Sequence, residues 1–100
     1  MRPILFDEEA RDELEAAVAY YEGKRAGLGG ELREVVEKAC ALIQAQPQLS
    51  QQHDETEFRR RPLQRFPYTL FYLELADALW IAAVAHQSRE PGYWKRRTPP

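Results

Sequence analysis

Eight consecutive apolar residues, Ala78-Leu79-Trp80-Ile81-Ala82-Ala83-Val84-Ala85, constrain this chain more than any other feature. The run has the length of a strand and falls well short of the roughly 18 residues that begin to suggest a membrane span. It does not alternate, so neither face of such a strand is meant for water. A chain that carries it must cover both faces of a sheet.

The first half supplies cover in the form of helices. Ala10, Leu14, Ala17, Val18 and Tyr21 recur at helical spacing, which places Glu13, Glu15 and Glu22 toward water. Asp7 is a helix N-cap, worth roughly 1 kcal/mol, and Glu8 and Glu9 suit the positive end of the helix dipole. Gly27-Leu28-Gly29-Gly30 reads as a tight turn. The pattern resumes at Leu32, Val35, Val36, Ala39, Cys40, Leu42 and Ile43, and Pro47 stops it. Two helices joined this closely form an antiparallel hairpin with apolar faces free to cover a sheet.

The remaining elements are strands. Arg2 to Phe6 reads as an N-terminal strand, and Gln48 to Asp54 as a polar loop. From Glu57 the period becomes two. Phe58-Arg59-Arg60-Arg61 is a strand interrupted by Pro62. Phe66 to Leu75 is a longer one, with Tyr68, Leu70 and Tyr72 on one face and Thr69, Phe71 and Leu73 on the other. Ala76-Asp77 turns the chain into the apolar run. The predicted fold is α+β: an N-terminal strand, an antiparallel helix hairpin and a three-strand antiparallel meander, in the order β-α-α-β-β-β. A length of 100 residues suits one domain over 1–100.

Composition narrows the chemistry. The chain has two histidines and a single cysteine, Cys40, on the apolar face of the second helix. No zinc or iron spacing is present, and the glycine turn follows no strand. No metal or cofactor is expected. One cysteine allows no intramolecular disulfide, and the N-terminus has no signal-like apolar region, so a cytoplasmic protein with no membrane partner is expected. Charge is uneven. Residues 1–52 carry six basic against ten acidic side chains, and residues 53–100 carry eight against six. Seven of those eight are arginines, which offer a bidentate fork to phosphate or carboxylate.

Two arginine-rich segments are candidate functional surfaces. On a strand, Arg59 and Arg61 point one way and Arg60 the other, which suits either recognition or protection of an exposed strand edge. The segment His86-Gln87-Ser88-Arg89-Glu90-Pro91-Gly92-Tyr93-Trp94-Lys95-Arg96-Arg97 bends at Pro91-Gly92 directly after the apolar strand. The bend can gather His86, Arg89 and Tyr93. A histidine that titrates near neutrality and a permanent cation suit RNA cleavage by 2′-OH attack. Tyr93 or Trp94 can stack on a base, worth roughly 1–3 kcal/mol. Equally, Tyr93 and Trp94 can pack back on the sheet.

Four stretches give the chain a family likeness: Ala16-Ala17-Val18-Ala19-Tyr20-Tyr21-Glu22, Gly27-Leu28-Gly29, Arg65-Phe66-Pro67-Tyr68-Thr69-Leu70-Phe71-Tyr72, and His86 to Trp94. With these in this order, the chain resembles toxins of the RelE/ParE superfamily from bacterial type II toxin–antitoxin modules. The resemblance implies a helix hairpin on a small, mostly antiparallel sheet. It implies a cognate antitoxin as partner, with operator DNA bound only through that antitoxin. It implies one of two targets: DNA gyrase, inhibited by binding as in ParE-like members, or mRNA cut on the ribosome as in RelE-like members. In the second case the family's positions fall on Arg65, His86, Arg89 and Tyr93. The net charge of −2, and the absence of lysine between Lys38 and Lys95, depart from the basic nucleases and favour the ParE-like branch. The residues expected to contact a target are Arg59, Arg61, Arg89, Trp94 and Arg96.

Overall fold

The structure, a computed structural model, describes residues 1–100. The chain runs β1 (Ile4–Phe6), α1 (Glu8–Lys24), α2 (Leu28–Ala45), β2 (Gln51–Gln52), β3 (Arg59–Pro62), β4 (Tyr68–Glu74) and β5 (Leu79–His86). The strands form one sheet in the order β1-β5-β4-β3-β2. β2 to β5 pair antiparallel in succession, whereas β1 lies parallel to β5, so the sheet is mixed. The α+β order is the predicted one with one addition. Gln51-Gln52, expected in a loop, pairs with Arg60 and Arg59 as a short edge strand. Edge pairing uses backbone groups alone, so a polar pair without alternation can do it.

α1 begins as expected, with the Asp7 carboxylate accepting the Glu9 N–H at 3.0 Å. The turn between the helices is tighter than the glycine run suggests. Only Gly27 is left-handed, at φ 90°, while Leu28, Gly29 and Gly30 already belong to α2. Gly27 has no side chain to cap α2. Glu22 of α1 does it from across the hairpin, accepting the Gly27 and Gly29 N–H groups at 2.9 and 3.0 Å. Glu22 is therefore a cap, not a purely solvated residue.

β5 is buried on both faces, as its composition demands. Its register contains a bulge: Phe71 pairs with Ala83 and Tyr72 with Ile81, which leaves Ala82 as the extra residue. The bulge resets the alternation. Leu79, Ile81 and Val84 face the helix hairpin, where they pack with Leu14, Leu32 and Ile43. Trp80, Ala82, Ala83 and Ala85 face the other way, with Phe58 and Trp94. Burying each large aliphatic on the helix side contributes roughly 1.5–3 kcal/mol. On the far side the three alanines leave a shallow seat. Cys40 packs at the edge of the helix-side core, and burial pushes its thiol up to about 11.

Candidate functional site

The segment after β5 folds back over the alanine seat. Gly92, at φ 76°, makes the bend, and short turns follow: the Lys95 N–H donates to Gly92 O and the Arg97 N–H to Trp94 O, both at 3.0 Å. This strap carries Trp94 onto the sheet. Its indole stacks on Phe71 at 4.1 Å between centroids and meets Phe58 edge-on at 4.7 Å. At 1% exposure Trp94 is a core residue. The expectation that it contacts a target is corrected: the seat left by Ala82, Ala83 and Ala85 is filled by it.

The strap is locked by Glu13, which sequence pattern placed toward water. Its side chain is only 14% exposed. Oε1 accepts the Val84 backbone N–H at 2.9 Å, and Oε2 accepts the Tyr93 hydroxyl at 2.6 Å. The Arg97 guanidinium donates to both oxygens, at 3.1 and 3.0 Å, and also to the Ala82 carbonyl at 2.8 Å. The reason lies in the sheet. β1 covers one edge of β5 only from Leu79 to Ile81, so beyond that point β5 is paired with β4 alone and its β1-side edge has no neighbouring strand. Glu13 and Arg97 satisfy the N–H and carbonyl that a longer β1 would have taken. A signal for Glu13 existed: it lies three residues after Ala10 and four before Ala17, at the margin of the apolar stripe.

These bonds decide what the predicted site residues have available. Burial, then the hydrogen bond to Glu13 and its charge, push the Tyr93 phenol far above its ordinary range, so the hydroxyl stays protonated and occupied. Arg89 lies with its guanidinium carbon 3.8 Å from the centre of the Tyr93 ring and stays 53% exposed. The His86 ring packs edge-on against Tyr68 at 5.0 Å, and its Nδ1 accepts the Ser88 N–H at 2.9 Å. His86, Arg89 and Tyr93 line one hollow of about 160 Å³. Arg65 does not line it. That residue sits in the β3–β4 connection, at φ 70°, and its guanidinium bonds Glu31 of α2 at 2.6 Å.

The hollow is also lined by His53, from the segment expected to be a polar loop. It packs edge-on against Phe71 and Trp94 at 5.2 and 5.3 Å, and its buried Nδ1 has no hydrogen-bond partner. Nothing in the local sequence announces this contact, because it comes from the β2–β3 turn meeting the strap. Arg59 and Arg61 share a face, as predicted from alternation, and both bond Ser50: Arg59 donates to its carbonyl at 2.9 Å and Arg61 to its hydroxyl at 3.1 Å. Arg96 is exposed at a cleft that also presents Asp7, Glu8, Glu9 and Asp12. It stands among carboxylates rather than in a basic patch.

Comparison with known proteins places this architecture. The chain is similar in structure to a chromosomal ParDE TA system from P. aeruginosa, with a TM-score of 0.69 over 86% of this chain and 96% of that one, at 19% identity. No curated protein matches it in sequence. The family model for the ParE toxin of the type II toxin–antitoxin system, parDE, matches residues 4–91. With nearly the whole folded unit inside that match, the chain belongs to the ParE toxins of type II toxin–antitoxin systems.

Proposed function

We propose that this toxin arrests growth by binding and inhibiting DNA gyrase, that a cognate antitoxin neutralises it, and that it acts without cleaving a substrate of its own. The observation that carries this reading is the state of Tyr93. A nuclease built on His86, Arg89 and Tyr93 needs a group free to give or take a proton beside the phosphate. Here the phenol donates to Glu13 at 2.6 Å, and Arg65 is held by Glu31 away from the hollow. What remains for a partner is the Arg89 guanidinium, 53% exposed on its aromatic shelf and paired only at 3.8 Å with Glu13, a common kind of protein-interface anchor.

The test is plasmid supercoiling by purified gyrase with the toxin in molar excess, alongside mRNA integrity on translating ribosomes. Supercoiling is expected to stop while transcripts stay intact. Arg89→Ala is expected to raise the toxin concentration needed by about tenfold or more. Undiminished supercoiling, with mRNA cut within ribosome-bound codons, would replace this reading by the RelE-like one.

A further inference from the structure

We propose that a row of aromatic side chains, running from the C-terminal half of α1 to the end of β5, grips an acidic surface of the target protein and extends the anchor at Arg89. The proposal rests on the reading above, in which that target is gyrase. The row is Tyr20, Tyr21, Tyr68 and His86, with successive ring centroids 5.1, 6.3 and 5.0 Å apart. His86 also lines the hollow beside Arg89, so the row is continuous with that anchor. Tyr20 and Tyr21 are adjacent on α1, about 100° apart around the helix, so both cannot pack inward. Tyr21 does, edge-on against Phe66 at 5.0 Å. Tyr20 stays 57% exposed, the one aromatic side chain that the fold leaves outside. Hydroxyls separate the tyrosines in the same way. Those of Tyr72 and Tyr93 donate within the fold, to the Pro47 carbonyl and to Glu13. Those of Tyr20, Tyr21 and Tyr68 bond nothing in the chain, and none of the three is sealed from water. Burial, then the nearby Tyr21 and Tyr20 phenols, hold the Tyr68 phenol above its ordinary range, so it stays a donor.

Geometry selects the kind of partner. The rings meet at 86°, 73° and 88°, so the row presents ring edges and hydroxyls rather than a run of parallel faces. The bases of a nucleic acid strand need open faces to stack on. One face of Tyr20 is already taken by Lys24, whose Nζ lies 5.0 Å from the ring centroid. Ring edges are positive and phenol hydroxyls donate, so both call for acceptors. The flanking charges call for the same. Lys24 is in no ion pair. Arg65 lies over Phe66 at 5.2 Å and is 56% exposed. The carboxylates nearby are engaged, Glu22 by the Gly27 and Gly29 N–H groups and Glu31 by Arg65 and Arg25. In a chain of net charge −2 this is a local reversal. A protein surface that carries Asp or Glu among its backbone carbonyls supplies the acceptors, and tyrosines give such a surface large contact area at low entropic cost.

The experiment measures the toxin concentration that halves supercoiling by purified gyrase, together with growth arrest on unopposed expression of the full chain. The triple variant Tyr20→Phe/Tyr21→Phe/Tyr68→Phe keeps every ring and removes three donors, and is expected to raise that concentration about tenfold. Tyr20→Ala/Lys24→Glu removes the exposed ring and reverses its cation, and is expected to raise it roughly 100-fold. Leu5→Ala, on β1 opposite Trp80 at the far end of β5, is expected to change nothing. Unchanged thermal melts and an unchanged Kd for the cognate antitoxin show that each variant is folded. Native potency in either folded variant overturns the proposal, as does an equal loss with Leu5→Ala. Weakened antitoxin binding with unaltered gyrase inhibition assigns the row to the antitoxin and also overturns it, while leaving the gyrase reading intact. Binding of a single-stranded oligonucleotide that the triple variant loses assigns the row to nucleic acid, with the same consequence. Conversely, if the native chain arrests growth but spares gyrase, loss of arrest in both variants keeps the row and removes the gyrase reading, whereas undiminished arrest removes both.

Discussion

The two faces of the sheet are covered by different physics. On one, a helix hairpin lays down a stripe of aliphatic side chains, and the backbone bonds of α1 and α2 are satisfied within the helices themselves. On the other, a strap of successive turns brings a single large indole to a bed of alanines, and side chains hold it there: Tyr93 and Arg97 on Glu13, Trp94 on Phe71. The helical cover is repetitive, and many residues share its energy. The strap cover is concentrated in two or three residues. Surface that is held at so few points is the more easily broken, and it is here that the exposed Arg89 and the His53–His86 hollow lie.

The largest expected effect follows from that concentration. Trp94→Ala removes the whole plug from the alanine seat and is expected to cost about 3–5 kcal/mol in urea denaturation. A helix-side truncation such as Ile43→Ala falls in the range of about 2–5 kcal/mol, with neighbours that share the load. Amide exchange sharpens the contrast: Trp94→Ala should speed exchange at Val84, where the strap closes the strand edge, more than in α1. A loss below about 1 kcal/mol for Trp94→Ala would mean that the strap is an ornament on the sheet and not its second wall.

This asymmetry also explains what was legible. Helix periodicity, Asp7, Pro47 and the apolar run each announce their structure locally, so the α+β order could be read from one chain. The far face could not. Trp94 becomes core only because the bulge at Ala82 brings Ala82 and Ala83 to one side, and register is a property of two strands. Glu13 looks solvated until β1 is seen to stop at Phe6 and leave the Val84 N–H without a strand to bond. His86, Arg89 and Tyr93 are close in sequence and do meet in one hollow, whereas Arg65 was assigned by likeness and lies elsewhere. His53 arrives from a turn more than thirty residues before the strap it touches.

The second effect tests the lock itself. Glu13→Ala leaves the Arg97 guanidinium, 10% exposed, without its principal counter-charge, and leaves the Val84 N–H without an acceptor. Breaking a buried pair from one side costs about 3–5 kcal/mol when both partners are fully enclosed, and Arg97 keeps an alternative in Glu9 at 2.8 Å. A loss of about 2–3 kcal/mol is therefore expected. Glu13→Gln keeps an oxygen for Val84 and should lose less. A double-mutant cycle with Arg97→Met, read by urea denaturation, should return a coupling of about 1 kcal/mol or more. Strict additivity would show that the strap is held by Trp94 alone.

The smallest effect probes the helix face at its closest approach. Gly29 is helical, so alanine there should gain roughly 1 kcal/mol from helix propensity alone. Against this, a Cβ at position 29 would lie 2.6 Å from the Val18 carbonyl oxygen, which is backbone and cannot rotate away. Relief requires α1 and α2 to part by several tenths of an ångström, which also stretches the Gly29 N–H bond to Glu22. Overpacking of this kind costs typically about 1–3 kcal/mol. The overlap outweighs the propensity, and Gly29→Ala is expected to destabilise the chain by about 1 kcal/mol, with Gly30→Ala, which meets nothing within 4 Å, as the stabilising control. If both substitutions stabilise alike, the hairpin is looser than its geometry implies, and the helix face would share the strap's dependence on a few contacts.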